Sequence, residues 1–335
     1  MYGGGTIVDK QQMLERIDPQ LREGYAAMPP YSLQYETLCG IRNYSLSQYR
    51  QSPSVFEHRK DIQFSVKTIQ SPFGGHSLEL RIYEPSERAA VMPVILYFHG
   101  GGGVMSSAEQ DDPFCLGLAL QENAIVISVE YRLAPEHPAP AGQMDCYAAW
   151  LWLCGEGVEL LHLDLDRSIF YGGSGGGNMA VGTALRLLDE KKRLPSALLP
   201  LYPMLDNRGV TRSSQEITDT SLWGREQNLQ AWDYYINGLS GHSDAGTDSY
   251  IIPAMRDDFS GFPPVFTFVG ELDLFRDETL ELVRKLSFSN VPVSFTLYPS
   301  CYHGFEVYFP DADISKQAIR NIHEYIQKIF WTKTQ

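Results

Sequence analysis

The chain has 335 residues, with 27 Lys and Arg against 41 Asp and Glu, for a formal net charge of −14. That sign repels nucleic-acid phosphates and anionic lipid, and no basic run offsets it, so no nucleic acid and no membrane is expected as a partner. Hydrophobic residues at 43% and charged residues at 20% fit a soluble globular protein and exclude a disordered one.

From the start, Met1 to Lys10 lacks the basic residues and apolar stretch of a secretory signal. Apolar runs such as Ala124 to Val129 are too short to span a bilayer. The five cysteines, Cys39, Cys115, Cys146, Cys154 and Cys301, follow neither disulfide-framework nor zinc spacing. Reduced thiols, a cytoplasmic location and no bound metal are the expectation.

An amphipathic stretch from Met13 to Leu21 is followed by a Pro- and Tyr-rich region reaching about residue 55. Ile62 to Ile69 and Leu78 to Tyr83 then alternate in polarity, as half-buried antiparallel strands do. Val94 to Phe98 and Ile125 to Val129 are almost continuously apolar, as strands covered on both faces must be. Four segments carry apolar residues at helical spacing: Asp145 to Leu153, Met179 to Leu188, Leu274 to Leu286 and Ile314 to Ile329. Between them lie strand-like runs at Ile169 to Tyr171, Ala197 to Tyr202, Val265 to Val269 and Val293 to Leu297. This alternation predicts an α/β fold with a mostly parallel central sheet flanked by helices. Residues 206–250 break the rhythm after Tyr202-Pro203, with a Trp-bearing helical candidate from Gln227 to Gly238, and read as a lid or cap.

The strongest chemical signal is Gly172-x-Ser174-x-Gly176, directly after a predicted strand and before a predicted helix. A nucleophile on such a turn sits in strained backbone, and its neighbours two residues away must be very small. The helix beginning there aims free N–H groups at the site, suiting a developing oxyanion. A plain Gly-rich turn and a phosphate loop are the alternatives, but no Lys-Ser/Thr follows the glycines. His99-Gly100-Gly101-Gly102-Gly103 follows the buried run Val94 to Phe98, and its peptide N–H groups are unshielded by any Cβ. Gly175, after the serine, would complete an oxyanion hole with them. Asp273 and His303 each stand just past a predicted strand end, in the chain order Ser174, Asp273, His303 that α/β-hydrolases use. Glu271 and Asp277 are rival acids, and Asp273 has the alternative role of capping the next helix.

Taken together, these segments resemble the hormone-sensitive-lipase-like α/β-hydrolases, the bacterial family IV esterases, across roughly residues 60–330. The resemblance rests on His99-Gly100-Gly101-Gly102, Tyr131 to Pro138, Gly172 to Asn178, Gly270 to Glu278 and His303-Gly304-Phe305. It implies Ser174, Asp273 and His303 as a catalytic triad and Gly101, Gly102 and Gly175 as oxyanion-hole donors. It further implies short-chain acyl esters as small-molecule substrates, no cofactor, and a helical cap. The corresponding division is an N-terminal cap segment 1–58, core 59–205, cap insertion 206–250 and core 251–335. Val104, Trp223 and Phe305 are candidate walls of a substrate pocket. Arg132, Glu136 and His99 are read as braces of the surrounding loops. An amidase or deacetylase using the same triad, and a non-catalytic small-ligand receptor on the same fold, remain open, as does a homodimer.

Three positions depart from the family pattern. Gly173 stands where Asp is usual, Gly175 where Ala is usual, and Gly103 where an aromatic is usual. A looser site and slower turnover are expected, with Gly173→Asp preserving or raising activity. Oxidation of Cys301, two residues before His303, is expected to perturb the base.

Overall fold

The computed structural model describes residues 7–239 and 248–331. Its strands sort by what covers them. In chain order they are β1 (Ile62–Gln70), β2 (Ser77–Pro85), β3 (Met92–Phe98), β4 (Ile125–Val129), β5 (Leu163–Gly173), β6 (Ala197–Leu201), β7 (Val265–Gly270) and β8 (Val293–Tyr298). They form one sheet in the order β1-β2-β4-β3-β5-β6-β7-β8. β2 runs antiparallel to both β1 and β4, while β4 through β8 are parallel. The continuously apolar runs β3, β4, β6 and β7 are buried along their whole length, whereas the alternating β1 and the edge strand β8 are partly exposed. The expected mostly parallel sheet is present.

Helices α1 (Lys10–Arg16), α2 (Pro19–Ala27) and α3 (Tyr35–Gln51) precede the sheet. The single amphipathic stretch expected at Met13 to Leu21 is broken, because Asp18 caps α2 and Pro19 occupies its first turn. The Pro- and Tyr-rich region contains α3, a helix whose sequence carries almost no buried apolar stripe. Helices α4 (Asp112–Glu122) and α5 (Ala141–Trp152) follow, the latter running through a π-helical turn at Leu153–Gly157 into α6 (Val158–Leu160). Then come α7 (Gly175–Asp189), α8 (Arg212–Glu216), α9 (Arg225–Asn237), α10 (Arg276–Phe288), α11 (Phe305–Tyr308) and α12 (Asp313–Trp331).

The N-terminal segment and the excursion after β6 meet each other. Val8 bridges Ile217, Tyr25 donates its hydroxyl to Asp219 at 2.8 Å, and Tyr31 donates to the Leu222 carbonyl at 2.5 Å. Gln227 in turn donates to the Tyr31 carbonyl at 3.1 Å. Residues 240–247 of the excursion lie outside the described residues. Among the described residues, no helix is long and apolar enough to cross a membrane.

Candidate active site

Four loops leave the carboxyl ends of parallel strands on one side of the sheet: after Phe98 of β3, Gly173 of β5, Gly270 of β7 and Tyr298 of β8. Open α/β sheets gather functional groups at this edge. Ser174 stands between β5 and α7 with φ 56° and ψ −118°, outside the regions that ordinary residues favour. The strain is held from both sides: its N–H donates to the Leu201 carbonyl at 2.9 Å, and its carbonyl accepts from Met204 at 3.1 Å. Small neighbours make the turn possible. A Cβ on Gly172 would lie 2.4 Å from the Gly176 backbone, and one on Gly176 would lie 2.0 Å from the Phe98 carbonyl oxygen.

Facing this turn, the backbone at Gly101, Gly102 and Gly103 has φ of 96°, 63° and 71°, which glycine adopts without strain. Gly175 packs so close to this loop that a Cβ there would lie 2.6 Å from the Gly102 nitrogen. The amides of the two glycine loops are therefore neighbours. Trp223, from the excursion, covers Gly102.

His303 Nδ1 lies 2.8 Å from Asp273 Oδ2. The imidazole is sandwiched edge-on between Tyr202 and Phe275, with ring centroids 4.8 and 5.2 Å away. Asp273 is fully buried and its other oxygen accepts the Phe275 N–H at 2.8 Å, so one carboxylate orders both the turn before α10 and the imidazole. The rival acids are engaged elsewhere: Glu271 with Ser300 N–H and Arg16, and Asp277 with Ser213 N–H and Arg276. Among the described residues no hydrogen bond joins the Ser174 hydroxyl to His303. Both side chains line the same cavity of about 730 Å³. Such contacts commonly tighten only around substrate.

Trp223 lines this cavity, but Val104 and Phe305 do not. Val104 is buried, and its carbonyl accepts the Arg42 Nε–H at 2.6 Å. Phe305 packs between Phe268 and Tyr298 in the core. The pocket role expected of these two residues is thus corrected: both side chains are buried in the hydrophobic core and neither faces the cavity.

The bracing residues behave as such. Arg132 grips Asp145 at 2.8 and 2.9 Å, and Glu136 holds Arg42. His99 stacks on Tyr131 at 4.1 Å, and burial lowers its pKa to about 4, leaving it neutral and unsuited to proton transfer at neutral pH. Cys301 is buried, and burial pushes its thiol up to about 12, so the oxidation expected there lacks both access and thiolate.

Sequence reasoning passed over a second layer. Tyr202, just past β6, donates its hydroxyl to Glu306 at 2.5 Å, and both line the cavity beside His303. Burial raises the Glu306 carboxyl to about 7. The available signals were a tyrosine at a strand end and an acidic residue directly after the His303-Gly304-Phe305 motif.

A strained serine at a strand-to-helix turn, a glycine loop against it and a buried Asp–His pair define an α/β-hydrolase. Comparison agrees. A family model described as an alpha/beta hydrolase fold matches residues 95–307, and a carboxylesterase family model matches residues 51–135. Carboxylesterase NlhH of Mycobacterium tuberculosis is 32% identical over 289 residues, covering 86% of this chain and 88% of that protein. Ethyl acetate hydrolase of Pseudomonas putida is 30% identical over 262 residues, covering 77% and 81%. Among solved structures, a bacterial heroin esterase superposes with a TM-score of 0.87 at 29% identity, over 95% of this chain and 99% of its own. The chain belongs to the hormone-sensitive-lipase-like esterase family of the α/β-hydrolase fold.

Proposed function

We propose that the protein hydrolyses carboxylic esters with Ser174 as nucleophile, His303 as general base and Asp273 as the group that orients it. The observation carrying this reading is the 2.8 Å His303–Asp273 contact on the wall of the cavity that Ser174 also lines. With Nδ1 donating to Asp273, Nε2 is left as the proton acceptor. Ser174 Oγ attacks the acyl carbon as its proton passes to Nε2, and charge collects on the carbonyl oxygen. The amides of Gly101, Gly102 and Gly175 receive that oxyanion, and each such donor is worth ~3 kcal/mol. Collapse breaks the ester C–O bond, the alcohol leaves with the proton from His303, and the acyl group stays on Ser174. A water then gives its proton to His303 and its oxygen to the acyl carbon. Release of the acid returns the proton to Ser174. These steps need no metal or cofactor.

A short acyl group is the choice proposed here, and the name of the Pseudomonas putida relative, ethyl acetate hydrolase, supports it. A cavity of about 730 Å³ lies within the range that holds drug-sized ligands. The N-terminal segment from residue 7 to 58 and the described part of the excursion, 206–239 and 248–250, are assigned as the cap over this cavity, a reading that the contacts of Tyr25, Tyr31 and Val8 with the excursion support. Five free cysteines suit a reducing, cytoplasmic setting.

Labelling with a fluorophosphonate followed by peptide mapping tests the assignment. The label is expected on Ser174, and Ser174→Ala is expected to lose p-nitrophenyl acetate turnover by at least ~10³-fold while keeping its melting temperature. A label elsewhere, or turnover retained in that variant, refutes the assignment.

A further inference from the structure

Asp111 and Asp112 are adjacent where α4 begins, and their carboxylates are treated in opposite ways. Asp112 is buried and receives Arg81 Nε and Nη2 at 2.7 and 2.6 Å, and the Tyr83 and Tyr49 hydroxyls at 2.5 and 2.8 Å. Asp111 lines the substrate cavity and receives one donor, the Tyr97 hydroxyl, at 2.7 Å on Oδ2. Its Oδ1 has no hydrogen-bond partner among the described residues. Burial, with Asp112 adding to it, raises the Asp111 carboxyl to about 6, the response of an acid that lacks a countercharge.

Next to it stand three rings. Tyr97 lies 5.3 Å from Phe114 and 5.6 Å from Tyr171, and Phe114 and Tyr171 lie 5.6 Å apart. All three line the same cavity as Asp111 and Ser174. Elsewhere on the wall Glu306, 4% exposed, has one oxygen on Tyr202 and leaves Oε2 without a partner. Among the described residues the lining contains neither Lys nor Arg.

A cavity built for neutral esters alone has no use for uncompensated carboxylates, which cost free energy to desolvate. Aromatic faces and a carboxylate share one property, a negative potential, and together they are the chemistry that recognises an ammonium group. We infer that the cavity takes esters whose alcohol part carries a cationic amine or quaternary ammonium, seated between Asp111 and the Tyr97, Phe114 and Tyr171 rings. The inference rests on the esterase reading only for the ligand being an ester. The net charge of −14 also favours approach of a cation.

The test compares acetylcholine with 3,3-dimethylbutyl acetate, which has the same shape with carbon in place of the charged nitrogen. The kcat/KM ratio is expected to favour the cation by about tenfold or more in the wild-type protein, and to persist at high salt. Asp111→Asn keeps an acceptor for Tyr97 and is expected to bring the ratio towards one. Phe114→Leu, at a ring that is 39% exposed and so tolerant of change, is expected to lower it partway. Because the readout is a ratio, a loss common to both esters cancels. A wild-type ratio of one or below, or a ratio unmoved by Asp111→Asn, overturns the inference. Calorimetric titration of phenyltrimethylammonium into the wild-type protein decides independently of turnover: saturable binding that weakens about tenfold in Asp111→Asn supports it, and no saturable binding overturns it. If neither ester is hydrolysed, this titration alone decides the cation site, while p-nitrophenyl acetate turnover and the label on Ser174 decide the esterase reading.

Discussion

At position 175 the lack of a Cβ determines how near two loops can come. An added methyl would meet the Gly102 and Gly103 nitrogens at 2.6 and 2.8 Å, and both are backbone atoms that no rotamer change can remove. Gly175→Ala is therefore expected to push the glycine loop away and cost about 1–3 kcal/mol of stability. Turnover should drop by roughly tenfold or more, since misplacing an oxyanion donor weakens its transition-state contact. Steady-state kinetics and urea denaturation check both, and an Ala variant with wild-type turnover would show that the amides at 101, 102 and 175 do not act together. Position 103 follows the same logic, because a Cβ there would sit 3.0 Å from the Tyr235 ring, leaving no room for an aromatic. Gly173 reverses an expectation from sequence. A Cβ at 173 lies 3.0–3.4 Å from the Tyr202 ring, which its hydrogen bond to buried Glu306 and its contact with His303 hold in place. Gly173→Asp should thus crowd Tyr202, bring a second carboxylate beside Glu306, and lower turnover rather than preserve it. The three departures were visible in the sequence as glycines; their reasons were not, because Tyr202 reaches Gly173, Tyr235 reaches Gly103 and the Gly102–Gly103 backbone reaches Gly175 from other parts of the chain.

Helix α3 shows what happens when an element is fixed by polar contacts. Leu38 is its one buried residue, so no apolar period marks it, and flanking prolines made the region read as irregular. Its anchorage comes from Arg42, which donates to the carbonyls of Val104 (2.6 Å) and Ala134 and to Glu136 (2.8 and 2.9 Å). One guanidinium thereby ties the N-terminal segment to the end of the glycine loop and to the Tyr131 to Pro138 segment. Arg42→Met keeps the aliphatic stem but leaves those carbonyls without their donor, at about 1–3 kcal/mol. Denaturation midpoints should fall accordingly and kcat should drop several-fold; an unchanged kcat would mean the glycine loop holds its shape without α3. Helix α4 escaped notice for the contrary reason. Cys115, Leu116, Leu118, Ala119 and Glu122 are buried at helical spacing, but the outward positions Phe114, Gly117 and Leu120 are not polar either, so no polar face frames the period in the sequence. The strands, α7 and the strand-end motifs were legible because their residue types answer to local demands: continuous burial, a tight turn, a close backbone approach. The cavity wall was not, since Tyr97, Asp111, Tyr171 and Glu306 converge from four separate segments.

Across the whole molecule, several carboxyls are buried without a cation, and this sets how stability follows pH. Burial raises Asp111 to about 6, Glu130 and Glu306 to about 7, and Glu278 to about 8. In the unfolded chain each releases its proton near its ordinary value of 3.8 or 4.5. Between that value and the raised one the folded state binds more protons, so stability falls as pH rises. His99 acts in the other direction, because its folded value of about 4 lies below its ordinary 6.5 and it favours folding as pH climbs through that interval. It is one group against four. Carboxylates such as Glu109 and Glu281, held low by Arg50 and Arg284, lose their contribution only in more acidic solution. The melting temperature should peak near pH 5 and decline towards pH 8. Glu278 is the sharpest probe: it is 4% exposed, its Oε2 accepts the N–H groups of Leu205 and Asp206 at 2.8 and 2.9 Å, and its Oε1 has no partner. Glu278→Gln keeps an acceptor for both amides and removes the ionisation, so it should gain about 1–3 kcal/mol at pH 8 and little at pH 5. Calorimetry from pH 5 to 8 measures both curves. A wild-type curve that rises across that range, or a variant whose advantage is the same at both ends, would mean that these carboxyls do not govern the alkaline limb.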